Sequence, residues 1–144
     1  MQSISVSDSI PAMGGIVPAL RYRDVRAASL WLCNAFGFEE DRAVADADGT
    51  VRYVQLACGA SRVMLCPVGG TAFDTYMVQP ADVGSRETQA CYVFVPDVLA
   101  HKSRALEAGA ELVIDIDAGD GRGQGYSCRD FEGHIWSFGT FDPW

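Results

Sequence analysis

The same order of predicted elements runs through this chain twice. A tandem repeat restricts the fold more than any single motif, because each copy must be one supersecondary unit. In the first half "GIVPALRYRD" reads as a strand and "DVRAASLWLCNAFGF" as an amphipathic helix, with Asp24 as N-cap and Gly37 as its stop. Ala28, Leu32 and Ala35 share one face of that helix with Trp31. "FEEDRAVA", "TVRYVQLACG" and "SRVMLCPV" follow as strands, the first two joined by the turn "DADG". The second half repeats this: "TQACYVFVPD" is a strand, "DVLAHKSRALEAG" a helix capped by Asp97 and stopped by Gly109, and "AELVIDID", "GQGYSCRD" and "HIWSFGTF" are strands. The two N-cap aspartates stand 73 positions apart (97 − 24), and the same offset carries Tyr53 onto Tyr126 in the corresponding third strands. The expected fold class is therefore α+β, with two tandem βαβββ modules, residues 15–68 and 88–144, making one domain. A tail, residues 1–14, precedes them. The connection 69–87 has glycines, prolines and no clean period, and in a compact domain so long a connection is usually functional or a linker.

With 144 residues, 49% of them hydrophobic, the chain can bury a proper core. Its formal net charge of −8, with no offsetting Lys/Arg cluster, repels phosphate backbones and anionic lipid, so neither nucleic acid nor membrane is an expected partner. No apolar run approaches the roughly 18 residues that cross a bilayer. "MQSISVSDSIPAMGG" lacks the basic start and apolar stretch of a secretory signal. The cysteines at 33, 58, 66, 91 and 128 are odd in number, lack CxxC spacing and mostly sit in apolar runs, which points to a reducing cytoplasm rather than a disulfide framework.

Two stretches carry a resemblance to a known family. "LRYRDVRAASLWLCNAFGF" is similar to the strand, Asp-capped helix and closing Gly-hydrophobic pair of the vicinal oxygen chelate superfamily, which includes glyoxalase I, bleomycin-resistance proteins and extradiol dioxygenases. "YSCRDFEGHIWSFGTFDPW" is similar to that family's "RDPxGHxWSFGTY" ending, and this second motif is the specific one. The likeness covers residues 16–144. Phe131 stands where the family usually has proline, a change of local stiffness. The resemblance implies that the modules form a curled mixed sheet around a cleft, with helices outside, and that the protein is a homodimer. In metal-dependent members, four residues on cleft-facing strands hold a divalent ion. The corresponding positions are Val17, Met64, Ala90 and Ser137, which cannot supply the imidazole or carboxylate ligands such a site needs. No metal and no cofactor is therefore expected.

Alternation along the strands then places Val17, Ala19, Ala90 and a larger set of candidate ligand-binding residues in the cleft. That set is Arg21, Tyr53, Gln55, Met64, Tyr92, Phe94, Tyr126, Cys128 and Ser137. It makes an aromatic, mostly apolar cavity with one cation and no carboxylate, suited to a small planar or amphipathic organic molecule. The same side chains could instead fill the interior of the curled sheet. Phe73, Tyr76 and Met77 of the connection either close over the opening or pack at a dimer interface. His101, early in a polar helix, reads as a solvated surface residue. His134 reads as structural, at the start of a strand whose Trp136 and Phe138 pack under a helix. "GDGRGQG" (residues 119–125) reads as a flexible turn, since it lies between strands and has no helix N-terminus to bind an anion. The expected function is metal-free binding of a small molecule, as in antibiotic sequestration. Two alternatives stand beside it: a lyase, isomerase or dioxygenase-type enzyme using Tyr53, Tyr126 or Arg21 as acid or electrostatic stabiliser, and a dimeric interaction module with no ligand.

Overall fold

The structure is a computed structural model that describes residues 12–117 and 123–144. The first half forms strand β1 (Ala19–Tyr22), helix α1 (Val25–Phe36) and strands β2 (Glu39–Ala45), β3 (Val51–Cys58) and β4 (Ser61–Pro67). The second half repeats the order as β5 (Cys91–Phe94), α2 (Val98–Glu107), β6 (Glu111–Asp117), β7 (Gly125–Arg129) and β8 (Ile135–Gly139). Both helices start where a carboxylate can satisfy an amide left free in the first turn: Asp24 accepts from Ala27 N at 3.0 Å and Asp97 from Ala100 N at 3.1 Å. Gly37 ends α1 with φ 81°, a left-handed conformation that glycine adopts without a Cβ penalty. The connection carries two short 3-10 turns, Ala72–Thr75 and Pro80–Val83. The expected readings of residues 1–11 and of 119–122 within "GDGRGQG" lie outside the described residues.

Each half makes its own four-stranded sheet, in the orders β1-β4-β3-β2 and β5-β8-β7-β6. In both sheets the first strand lies parallel to the last, and the other pairs are antiparallel. The repeat is offset by 73 along β1, β4, β5 and β8: Ala19 pairs with Met64 as Tyr92 pairs with Ser137. It is offset by 72 in the third strands. Gln55 faces Met64, a separation of nine (64 − 55), whereas Ser127 faces Ser137, a separation of ten (137 − 127). The turn between β7 and β8 thus holds one residue more than the turn between β3 and β4. A slip of one residue turns every side chain of a strand to its opposite face. Tyr53 therefore corresponds to Gly125, and Tyr126 to the core residue Val54.

One continuous core joins the halves. Val54, Leu56, Val63 and Leu65 of the first sheet and Tyr126, Cys128, Trp136 and Phe138 of the second point toward the helices. Ala28, Leu32 and Ala35 of α1 are fully buried against them, on the face their spacing predicts. Phe36 and Phe38, at the end of α1, bring their rings to 5.5 Å from that of Trp136. The helices also cap each other. Trp31 Nε1 of α1 donates to Ala108 O at the end of α2 (2.8 Å), while Arg104 of α2 donates to Asn34 O (2.7 Å) and Cys33 O (3.2 Å) at the end of α1. The opposite face of each sheet is left open.

Candidate functional site

The long connection is fastened to both halves. Arg21, buried on β1, donates to Pro67 O at 3.2 and 3.1 Å, to Thr71 Oγ1 at 3.4 Å and to the Asp74 carboxylate. That hydrogen bond holds the Asp74 carboxyl below its ordinary range. Further along, Gln79 donates to Glu132 at 3.0 Å, and Arg129 donates to Ser85 O at 3.3 Å. At the far end Glu87 receives His134 Nδ1 at 2.6 Å and the amide of Ile135 at 2.8 Å.

A groove of about 1140 Å³ opens between β1, β5 and this fastened segment. Ala19 and Arg21 line it from β1, and Cys91 and Tyr92 from β5. Tyr76, Met77, Val78, Pro80 and Val83 line it from the connection, with Ile135 and His134 at one wall. The dimensions suit a drug-sized organic molecule, and the walls are largely apolar.

Strand register decides where the candidate residues lie. Arg21, Tyr53, Gln55 and Met64 are on the open face of the first sheet, and Tyr92, Phe94 and Ser137 on the open face of the second. Of these, Arg21 and Tyr92 border the groove. Tyr53 Oη donates to Gln55 (3.1 Å), whose amide donates to Asp41 (2.8 Å), and the two Ser hydroxyls Ser127 and Ser137 bond each other at 2.7 Å. Tyr92 Oη donates to Phe141 O at 2.7 Å.

Tyr126 and Cys128 do not face a cleft. Both are buried in the core, because the one-residue slip between the modules reverses β7 relative to the reading from a uniform offset. Burial pushes the Cys128 thiol up to about 12 and raises the Tyr126 phenol as well, so neither is poised as nucleophile or acid. Tyr126 instead bonds His101 Nδ1 at 2.6 Å, and the other ring nitrogen of His101 donates to Phe36 O at 3.0 Å. His101 is therefore a half-buried bridge between α2, β7 and the end of α1, and not the solvated residue its polar helix suggests. His134 is buried and structural, as its position predicts. Its partners are Glu87 and, through Nε2 at 2.7 Å, Arg21 O, while Asp130 takes its backbone amide at 3.0 Å.

The four positions that hold the ion in metal-dependent members do not fit one here. Met64 and Ser137 offer a thioether and a hydroxyl already bonded to Ser127, and Val17 and Ala90 offer no donor. Among the described residues no three His, Cys, Asp or Glu side chains gather elsewhere to hold a metal ion. Sequence reasoning missed the connection's contribution from Val78 to Gln89. Its only sequence signal was the apolar run Tyr76-Met77-Val78 inside an otherwise turn-rich segment.

This architecture recurs among solved structures. The chain is similar to TioX from Micromonospora sp. ML1, with 32% identity, a TM-score of 0.71, and 90% of this chain and 100% of that one covered. It is similar in fold to UcmS2 (16% identity, TM-score 0.68, covering 89% and 99%) and to the fosfomycin resistance protein FosX from Listeria monocytogenes (14%, 0.65, covering 90% and 93%). No curated protein matches the chain. The family model described as Glyoxalase/Bleomycin resistance protein/Dioxygenase superfamily matches residues 15–138, which takes in both modules and the segment that walls the groove. With two βαβββ units in tandem and that match running through both of them, the chain belongs to the glyoxalase/bleomycin resistance protein/dioxygenase superfamily.

Proposed function

We propose that the protein binds a small planar or amphipathic organic molecule in the groove between β1 and β5, and acts by holding it, with no bond made or broken. The observation that carries this reading is the groove itself: a mostly apolar groove of about 1140 Å³ with a wall fastened at Arg21, Glu132, Arg129 and His134. A wall tied at four points costs little further ordering when a ligand arrives. The groups that could have served as acid or stabiliser are engaged in structure: Arg21 with Asp74, Tyr53 with Gln55, Tyr126 with His101. Sequestration of an antibiotic is the biological role we infer, supported by the fold shared with a fosfomycin resistance protein. Five free cysteines support work in a reducing cytoplasm. The exposed apolar residues on both open sheet faces support a homodimer.

Thermal melting of the purified protein against a panel of drugs and aromatic metabolites tests the reading. A ligand selective for the folded state raises the melting temperature by mass action, by roughly 2.7 kcal/mol of stability at about a hundred times its Kd. A panel in which nothing shifts the transition, or in which a hit is chemically converted, overturns it.

A further inference from the structure

Resting on that reading, we infer that the ligand is an anion: an apolar molecule bearing a carboxylate or comparable oxyanion, held by the guanidinium of Arg86. Four side chains that can carry charge near neutral pH line the groove: Arg21, Arg86, Glu87 and His134. Three of them are spent. Arg21 is paired with Asp74, and Glu87 has both oxygens occupied, one by His134 and one by the amide of Ile135. His134 has acceptors at both ring nitrogens, Glu87 and the Arg21 carbonyl, so the His134–Glu87 pair is a closed ion pair with no charge left over. Arg86 is different: exposed at the groove's edge, it makes no hydrogen bond and no ion pair among the described residues, although the chain carries a net charge of −8 and surplus carboxylates.

Thr88 and Gln89 follow in the same lining stretch, and their side chains are also without protein partners among the described residues. The groove therefore has mostly apolar walls and one solvent-exposed polar edge, whose donors and single cation are free to meet a ligand. A guanidinium can bind a carboxylate through two parallel N–H donors, and at an exposed edge that contact adds a modest gain to the apolar burial beside it. A neutral ligand would gain nothing from the solvated cation, and a cationic one would be repelled by it. The acceptor surplus that a cationic drug requires is absent, since the only lining carboxylate is closed by His134.

Two dyes that share an anilinonaphthalene frame test this on the full chain: 1-anilinonaphthalene-8-sulfonate, an anion, and N-phenyl-1-naphthylamine, its neutral counterpart. Fluorescence titration should show wild type preferring the sulfonate by roughly two- to fivefold, the scale of one exposed ion pair. Arg86→Gln should remove that preference by weakening the sulfonate alone, and Arg86→Lys should restore part of it. Equal affinities in wild type, or a sulfonate affinity unmoved by Arg86→Gln, overturns the assignment of charge while the groove reading stands. Ala90→Trp fills the groove and should weaken both dyes. If it weakens neither, or if wild type binds neither dye, the groove reading fails and the anion assignment falls with it. Arg86 has no partner to lose, so its variants should melt with the wild type.

Discussion

His134 and His101 are the only histidines, and their surroundings set them to opposite protonation states. His134 faces two acceptors, the Glu87 carboxylate and the Arg21 carbonyl, so the ring must carry both protons to satisfy them. Burial alone would lower its pKa, but the Glu87 and Arg21 hydrogen bonds and the charges of Asp130 and Glu87 leave it raised. Burial lowers the pKa of His101, whose neutral ring accepts from Tyr126 at Nδ1 and donates to Phe36 O from Nε2. The consequences for stability follow from linkage. A raised folded pKa means that the His134 contribution is complete below the unfolded value of about 6.5 and is lost as pH rises through the folded value. The His101 contribution is complete above about 6.5 and is lost as pH falls through its depressed folded value. Urea denaturation across this range should show the gap between wild type and His134→Gln narrowing as pH rises, and the gap for His101→Gln narrowing as pH falls. A gap for His134→Gln that widens as pH rises would show that the ring is neutral in the fold. Beside His134, one buried carboxylate satisfies four donors: Asp130 accepts from Tyr22 Oη (2.6 Å), Trp136 Nε1 (3.1 Å) and the amides of Glu132 and His134 (3.0 Å each). Asp130→Ala strands the Tyr22 and Trp136 donors in the core and should cost roughly 3 kcal/mol or more, read from the shift in denaturation midpoint. Tyr22→Phe removes one donor and leaves the acceptor served by the others, so about 1 kcal/mol is expected.

At the scale of elements, the two helices are coupled end to end as well as side by side. Arg104→Met should cost about 1 kcal/mol, because it removes the charged donor from the Cys33 and Asn34 carbonyls while keeping much of the side-chain bulk. Trp31→Phe keeps an aromatic ring against Phe36 but loses the bond to Ala108 O, and a similar cost is expected in the same denaturation assay. The helices themselves were legible in the sequence, since aspartate caps, the Gly37 stop and the Ala28-Leu32-Ala35 face are local signals. The cross-caps were not, because they pair residues 70 or more positions apart and have no periodic signature. The third strands show a sharper limit. Their existence and order were legible from composition, but which face of β7 is buried depends on a single extra residue in the turn before β8, and turn length is a tertiary fact. Tyr126 and Cys128 were assigned to the wrong face for that reason alone, while Trp136 and Phe138, read from the family-like ending, were assigned correctly.

At the scale of the whole molecule the open faces set the remaining problem. Legibility of the site stopped at Ala19, Arg21, Ala90 and Tyr92 and at the option that Tyr76 and Met77 close over the opening, because the rest of the groove is made by a segment without periodicity whose position is fixed by scattered hydrogen bonds. The same folding that builds the groove leaves large apolar side chains in solvent on both sheets. Val44 on β2 is 46% exposed, Tyr92 and Phe94 on β5 are 44% and 39% exposed, and Ile114 on β6 is 61% exposed. Scattered single residues of this kind need no explanation, and across the second sheet Tyr92 and Ile114 flank the Ser137–Ser127 pair, but large apolar side chains at both edges of an open face give another copy of the chain a surface to cover. A twofold pair would apply the same patches on both partners, and the net charge of −8 per chain would have to be outweighed by the apolar area buried. Sedimentation equilibrium should therefore report twice the chain mass, and raising the salt concentration should tighten the association by screening like charges. Lysine at both Phe94 and Ile114 should yield a folded monomer, since those side chains support no core packing within the chain. A wild-type chain that sediments as a monomer would overturn the dimer, and the open faces would then stand as surface in their own right.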